Sequence, residues 1–242
     1  IPTTKRCSDP KKCYAFRMPD HYAKYFRDAG FNLLSIANNH INDFGEKGID
    51  NTVKLLKQEN IKFAGTHNYP IAEFNINGWK IGFCAFSPNK GTISINNAEE
   101  AMTLVKSLKQ KVDIVIVSFH GGGEGKNFEQ INDQIEYYLG ENRGNPYQFS
   151  RNMIDAGADI VFGHGPHITR AIDMYKGKII SYSLGNFATY GRFDLSGIRG
   201  FSPIIKLKIN KKGNLVSGNI ISTKQIGDGI PVIDKKNQAI IK

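Results

Sequence analysis

The sequence predicts a layered α/β fold with a mixed sheet or two packed sheets. Through the middle of the chain, short apolar runs of strand length alternate with amphipathic stretches of helical period. From Phe201 onward the pattern turns β-rich. With 242 residues, 40% of them apolar, the chain can bury a sizeable core. It reads as one domain over 1–242, with 201–242 as a C-terminal β-rich portion.

Residues 1–18 read as loop. Pro19 to Asp28 is expected to be a helix, with Tyr22, Tyr25 and Phe26 on one face and Ala29-Gly30 as its stop. Phe31 to Ala37 reads as a buried strand, halted by Asn38-Asn39-His40. Glu46 to Asn60 carries Ile49, Val53, Leu55 and Leu56 at helical spacing, and Ile61 to Ala64 follows as a short strand. Ile71 to Phe74 and Trp79 to Phe86 flank Asn75-Ile76-Asn77-Gly78 as a hairpin. Glu99 to Lys111 is the next helix. Val112 to Phe119 is the strongest buried strand, and it stops at His120-Gly121-Gly122-Gly123-Glu124. Pro146 to Ala156 is a helix closed by Gly157. Ile160 to Phe162 and Lys178 to Leu184 are strands ending at Gly163-His164 and Gly185-Asn186. Ile204 to Ile209 and Leu215 to Thr223 form an antiparallel pair.

The net charge is +10, but it is dispersed. The densest patches, Lys5-Arg6, Lys11-Lys12, Lys206 to Lys212 and Lys235-Lys236, each read as solvated surface. The total favours an anionic partner. No recognition motif and no clustered basic helix is present, which argues against nucleic acid. No run reaches the ~18 apolar residues of a membrane span, and no signal peptide is visible. Cys84 lies in an apolar run and reads as a buried thiol. Cys7 and Cys13 enclose a turn-rich segment and fit either a small disulfide loop or two free cysteines.

Function concentrates where strands stop. Asn38-Asn39-His40, His120 to Glu124, Gly163 to His167 and Ser183 to Asn186 each follow an apolar run directly. In open α/β sheets, ligands bind beyond the carboxyl ends of strands. Taken alone, each piece is more often a turn or a flexible loop. Four of the six histidines nonetheless fall at such ends. Imidazole suits Zn, Fe, Ni and Mn, and an Asn carbonyl can fill an oxygen position. His21 and His67 have no such context and read as surface residues.

The ordered set ANNHINDFGEKGID, FHGGGEG, GADIVFGHGPHI and SYSLGNF resembles the CapA/PgsA-type poly-γ-glutamate capsule biosynthesis proteins, a family similar to the calcineurin-like metallophosphoesterases. The resemblance runs from about Tyr14 to Phe187. It implies a four-layer αββα sandwich with divalent metal (Mn, Zn or Fe) at the strand ends. By that resemblance Asn39, His120, His164 and His167 are metal ligands, His167 the safer of the last pair because members often carry His where this chain has Gly165. His40 is the phosphate-side acid, and Asn38, Glu124 and Asn186 line the pocket. The superfamily's leading strand with a Gly-Asp ligand motif does not appear upstream of Asn39, and Asp9 and Asp20 sit in the wrong context. The N-terminal strand is therefore expected to be missing from this chain, and with it the ligands of one ion.

Two functions follow as expectations. One is a metal-dependent phosphoesterase-like hydrolase acting on an anionic substrate. The other is a non-catalytic component of a membrane-bound poly-γ-glutamate synthesis or export complex that holds the polymer. Both place the protein at the cell envelope.

Overall fold

The computed structural model describes residues 14–191 and 193–240. The Cys7/Cys13 pair and Asp9 lie outside them. In chain order the elements are α1 (Ala23–Asp28), β1 (Leu33–Ser35), α2 (Gly45–Gln58), β2 (Lys62–Ala64), β3 (Ile71–Ile76), β4 (Trp79–Phe86), α3 (Ala98–Lys109) and β5 (Ile114–His120). There follow β6 (Tyr137–Tyr138), β7 (Glu141–Asn142), α4 (Pro146–Asp155), β8 (Ile160–His164), β9 (Ile172–Tyr175), β10 (Lys178–Ser181), β11 (Phe201–Ile209), β12 (Leu215–Ile226) and β13 (Ile230–Ile233).

The central sheet has six strands in the order β3-β4-β5-β8-β10-β9. β4, β5, β8 and β10 run parallel, and the two edge strands run antiparallel to their neighbours. The parallel strands are buried on both faces, which is why they read as continuous apolar runs. Phe83, Phe86, Phe119 and Tyr182 are among the largest fully buried side chains, and each stabilises the fold by about 1.5–3 kcal/mol. The β3–β4 turn places Asn77 and Gly78 at φ +50° and +80°, the conformation that a two-residue hairpin loop demands. Helices α3 and α4 start on Asn97 and Asn145, whose side chains accept the backbone N–H of Glu100 and Gln148.

The layers follow from what each face buries. On one face, Val115, Val117, Phe119, Val161 and Ile180 pack against Ala101, Val105 and Leu108 of α3 and Phe149 and Met153 of α4. On the other, Phe83, Ala85, Ile116 and Phe162 meet Ala37 and Ala64 at the β1–β2 pair. Helix α2 covers that pair from outside through Val53 and Leu56. The succession is α, β, β, α. The three-stranded antiparallel sheet β11-β12-β13 joins the second β layer. Ile205 and Leu207 of β11 face Ile116, Ile160 and Ile179 across an apolar cavity of about 270 Å³.

Most predicted elements are present, and the departures have physical reasons. β1 is shorter than Phe31 to Ala37, because pairing with β2 covers only Leu33 to Ser35. β11 begins at Phe201 and runs through Pro203; an edge strand tolerates proline where its missing N–H faces away from the ladder. β10 ends at Ser181 rather than Leu184, where Ser183 Oγ turns to donate to Ile168 O. The strands β6, β7, β9 and β13, none longer than four residues, carry too few positions to show a period. Cys84 is fully buried and burial pushes its thiol far above the ordinary range. His21 and His67 are exposed.

Candidate metal centre

At the carboxyl ends of β1, β5 and β8 the chain encloses a cavity of about 660 Å³. Asn38, Asn39, His40, His120, Glu124, His167 and Asn186 line it together. His164 does not line it.

Beyond β1, Asn38 Oδ1 accepts the N–H of His40 at 2.8 Å, an Asx turn that ends the strand and lifts the imidazole over the cavity. His40 Nδ1 lies 3.0 Å from Asp43 Oδ2, and the same carboxylate oxygen accepts the N–H of Phe16 at 2.8 Å. The edge of Phe16 packs on the imidazole, with ring centroids 4.5 Å apart. Asp43 is thus the residue that orients His40. Its position three residues on, in a turn-forming sequence, was the available signal.

His120 ends β5. It is 8% exposed, and its Nε2 is buried without a hydrogen-bond partner. Burial, followed by the charges of His164, Arg143, His167 and His40, pushes its pKa down to about 3, so the ring is neutral at physiological pH. His164 stands beside it across the β5–β8 ladder. Burial lowers His164 to about 4, and its ring meets the edge of Phe162. The next residue suits glycine here: φ is +119°, and a Cβ at Gly165 would come 3.0 Å from Gly121 O and 3.4 Å from His120 Nε2.

The Gly121 to Gly123 loop is tied down by residues that sequence inspection did not single out. Gly123 N–H donates to Glu136 Oε2 at 2.7 Å. Glu136 in turn is gripped by both Nη atoms of Arg170 at 2.8 and 2.9 Å, and both residues are buried. Arg143 donates to Glu124 Oε1 at 3.1 Å, which leaves Glu124 Oε2 3.9 Å from His167 Nε2. His167 sits at φ +59°, an uncommon conformation for a residue with a Cβ. Its Nδ1 lies 2.8 Å from Asn186 Oδ1. Arg143 and Arg199 add positive charge to the lining, and Asp194 pairs with Arg199 at 2.7 Å.

Among the described residues, no three His, Cys, Asp or Glu side chains form a metal-holding group by themselves. The donors at hand are the imidazole nitrogens of His120 and His167 and the Asn39 amide. A buried, neutral, unpartnered Nε2 is costly to leave unmade, and it suits a cation that would otherwise have to displace a proton. Three protein donors with open positions is a set that fits a reactive ion rather than a closed structural one.

Residues 1–190 match the family described as bacterial capsule synthesis protein PGA_cap. The chain is 32% identical over 185 residues to the capsule biosynthesis protein CapA of Bacillus anthracis, covering 68% of this chain and 41% of that protein. It is 32% identical over 181 residues to the PGA biosynthesis protein CapA of Bacillus subtilis, covering 68% and 44%. It therefore spans less than half the length of these relatives. A putative 5'-nucleotidase of Staphylococcus aureus, solved in complex with alpha-ketoglutarate, superposes with a TM-score of 0.54 at 15% identity, over 89% of this chain and 42% of that one. That likeness shows the fold, which is of the calcineurin-like phosphoesterase type.

Proposed function

The chain belongs to the bacterial capsule synthesis protein family PGA_cap, whose CapA relatives are named for capsule and PGA biosynthesis, and we propose that its strand-end cavity is a divalent-metal site of phosphoesterase type acting on an anionic ester. The observation that carries this is His120 Nε2: buried, neutral and without a partner, at the floor of a cavity that His167 and Asn39 also line.

In this reading Asn39, His120 and His167 hold the ion, with Mn, Zn or Fe as candidates. When bound, the ion supplies Lewis acidity to a phosphoryl oxygen. A water would add to phosphorus as the ester oxygen leaves, and His40, oriented through Nδ1 by Asp43, would give a proton from Nε2 to that leaving oxygen. Arg143 and Arg199 attract and orient the anionic group. Asn38 fixes the turn that presents His40, Glu124 fixes Arg143, and Asn186 fixes His167. His164 pairs with His120 across the β5–β8 ladder outside the cavity lining, and in this reading it is not used as a ligand. The capsule and PGA biosynthesis names of its relatives support reading this site as part of poly-γ-glutamate assembly at the cell envelope; among the described residues no helix is long and apolar enough to cross a membrane.

The test measures bound metal in purified protein, then hydrolysis of a generic phosphomonoester and phosphodiester with Mn(II) or Zn(II) added. His120→Ala and His167→Ala are expected to lose metal while keeping the fold. Unchanged metal content in both variants defeats the site.

One observation favours a second function. The described residues contain no metal-holding group of three His, Cys, Asp or Glu side chains, while two arginines line the same cavity. A non-catalytic pocket that holds the polycarboxylate polymer uses those arginines and needs no ion. Polymer binding that survives both His substitutions but is lost on Arg143→Ala and Arg199→Ala selects it.

A further inference from the structure

We infer that Gln225, on β12 of the C-terminal sheet, is a positioning residue for the site: it holds the backbone carbonyl of Asn186, and so keeps in place the side-chain amide that fixes the tautomer of His167. The inference rests on the reading above in one respect, that His167 presents Nε2 to an ion. Gln225 lies beyond the residues 1–190 that match the family.

The orientation of every group in this chain of hydrogen bonds is set by backbone atoms that can only donate or only accept. Thr189 N–H donates to Gln225 Oε1 at 2.8 Å, and Thr189 Oγ1 donates to the same oxygen at 2.7 Å. A backbone N–H has no other role, so that end of the Gln225 amide is oxygen. Gln225 Nε2 is then the donor to Asn186 O, at 2.9 Å. Asn186 Nδ2 donates to two carbonyls, His167 O at 3.1 Å and Arg199 O at 3.2 Å. Carbonyls only accept, so the Asn186 amide is also fixed and its Oδ1 faces His167. An amide oxygen accepts only. The 2.8 Å contact to His167 Nδ1 therefore requires a proton on Nδ1. A ring that carries its single proton on Nδ1 has its lone pair on Nε2, the atom turned towards Glu124 and the cavity.

The surroundings make this an assembled support. Asn186 is 6% exposed, so water does not substitute for its partners. His167 needs holding, because its backbone is in the left-handed region. The same Asn186 amide also reaches the backbone of Arg199, so the residue that Gln225 holds from the C-terminal sheet braces both a proposed ligand and a cavity-lining arginine.

The test uses the 242-residue chain labelled with ¹⁵N at histidine, at one fixed neutral pH, first with chelator and then with Mn(II) alone. Long-range ¹H–¹⁵N spectra read the tautomer, with the His167 signal assigned by its loss in His167→Gln. The wild type is expected in the Nδ1–H form. Gln225→Met keeps length but cannot donate, and Gln225→Glu keeps shape but offers a carboxylate to Asn186 O. Both are expected to give mixed tautomers at His167 and to weaken Mn(II) binding about tenfold, the lower end for outer partners of metal ligands. Thermal unfolding separates this from misfolding, and Asn186→Leu, which can neither accept from His167 Nδ1 nor donate to His167 O and Arg199 O, provides a second route to the same loss of order. A wild-type tautomer in all folded variants, with Mn(II) affinity unchanged, overturns the inference. Tautomer mixing in a protein that binds no Mn(II) supports the positioning role and overturns the metal reading alone.

Discussion

At the amino end of β8, Asp159 is 2% exposed and every oxygen is used. Oδ1 accepts Lys178 Nζ at 2.7 Å, and Oδ2 accepts Lys109 Nζ at 2.7 Å and the backbone N–H of Val115 at 2.9 Å. Lys178 Nζ also donates to Lys212 O, which ties the β11–β12 hairpin to the same knot. At the carboxyl end of the neighbouring β5, His120 is 8% exposed and its Nε2 has no partner. Both ends belong to one sheet and are almost equally dry. One end spends its buried polar groups on holding three elements together. The other leaves a polar atom unsatisfied, at a cost in stability of about 1–3 kcal/mol.

The contrast predicts its largest effect at the paired end. Asp159→Ala strips the partner from two lysines and a strand N–H. Removing one member of a buried pair costs about 3–5 kcal/mol. The lower figure applies, because Lys109 and Lys178 are 34% and 15% exposed and can partly turn to water. Urea unfolding should show a loss of about 3 kcal/mol, while Mn(II) affinity of the protein that remains folded stays at the wild-type value. A change in affinity without loss of stability would reverse the assignment of the two ends.

Acid should act at the other end. His120 and His164 have folded pKa values near 3 and 4, below the ordinary 6.5. Below pH 6.5 the unfolded chain binds protons that the folded chain refuses. Stability is therefore full above about pH 6.5 and falls as pH drops towards 4. Each histidine contributes at most about 1.4 kcal/mol per pH unit in that window. Chelated protein titrated by urea at pH 7.5, 6.5, 5.5 and 4.5 reads the slope. A flat profile would mean that the two rings protonate freely and are not held dry.

How much of this was legible in the sequence depended on distance along the chain. The parallel strands could be read because each is a continuous run, such as Ile114 to Phe119. The polar stops could be read because each follows its strand directly, and the cavity lining gathers Asn39, His40, His120 and His167 from those stops. The supports could not be read. Glu136 and Arg170 are 34 residues apart, Asp159 reaches Lys109 across 50, and Gln225 reaches Asn186 across 39. A charged residue in a loop looks solvated until the register of β5, β8 and β10 brings its partner alongside. His164 shows the same limit from the other side. Its position after an apolar run matched that of His120, and it pairs with His120 across the β5–β8 ladder without lining the cavity.

The smallest expected effect on stability is the most decisive. His120→Leu removes a buried unpaired nitrogen and keeps a side chain of comparable bulk. Replacing an unsatisfied polar group by an apolar one is nearly neutral or stabilising, and repacking a change of shape costs under about 1.5 kcal/mol. In chelator at pH 7.5, the variant should unfold within about 1 kcal/mol of the wild type. Its acid slope should be shallower, because one of the two buried rings is gone. Mn(II) binding should fall at least tenfold, since a ligand is lost rather than an outer partner. Asp159→Ala and His120→Leu would then be mirror images, one losing stability and keeping the ion, the other keeping stability and losing it. If His120→Leu instead destabilises the chelated protein by about 3 kcal/mol, His120 is structural like Asp159, and the difference between the two ends of the sheet does not mark a site.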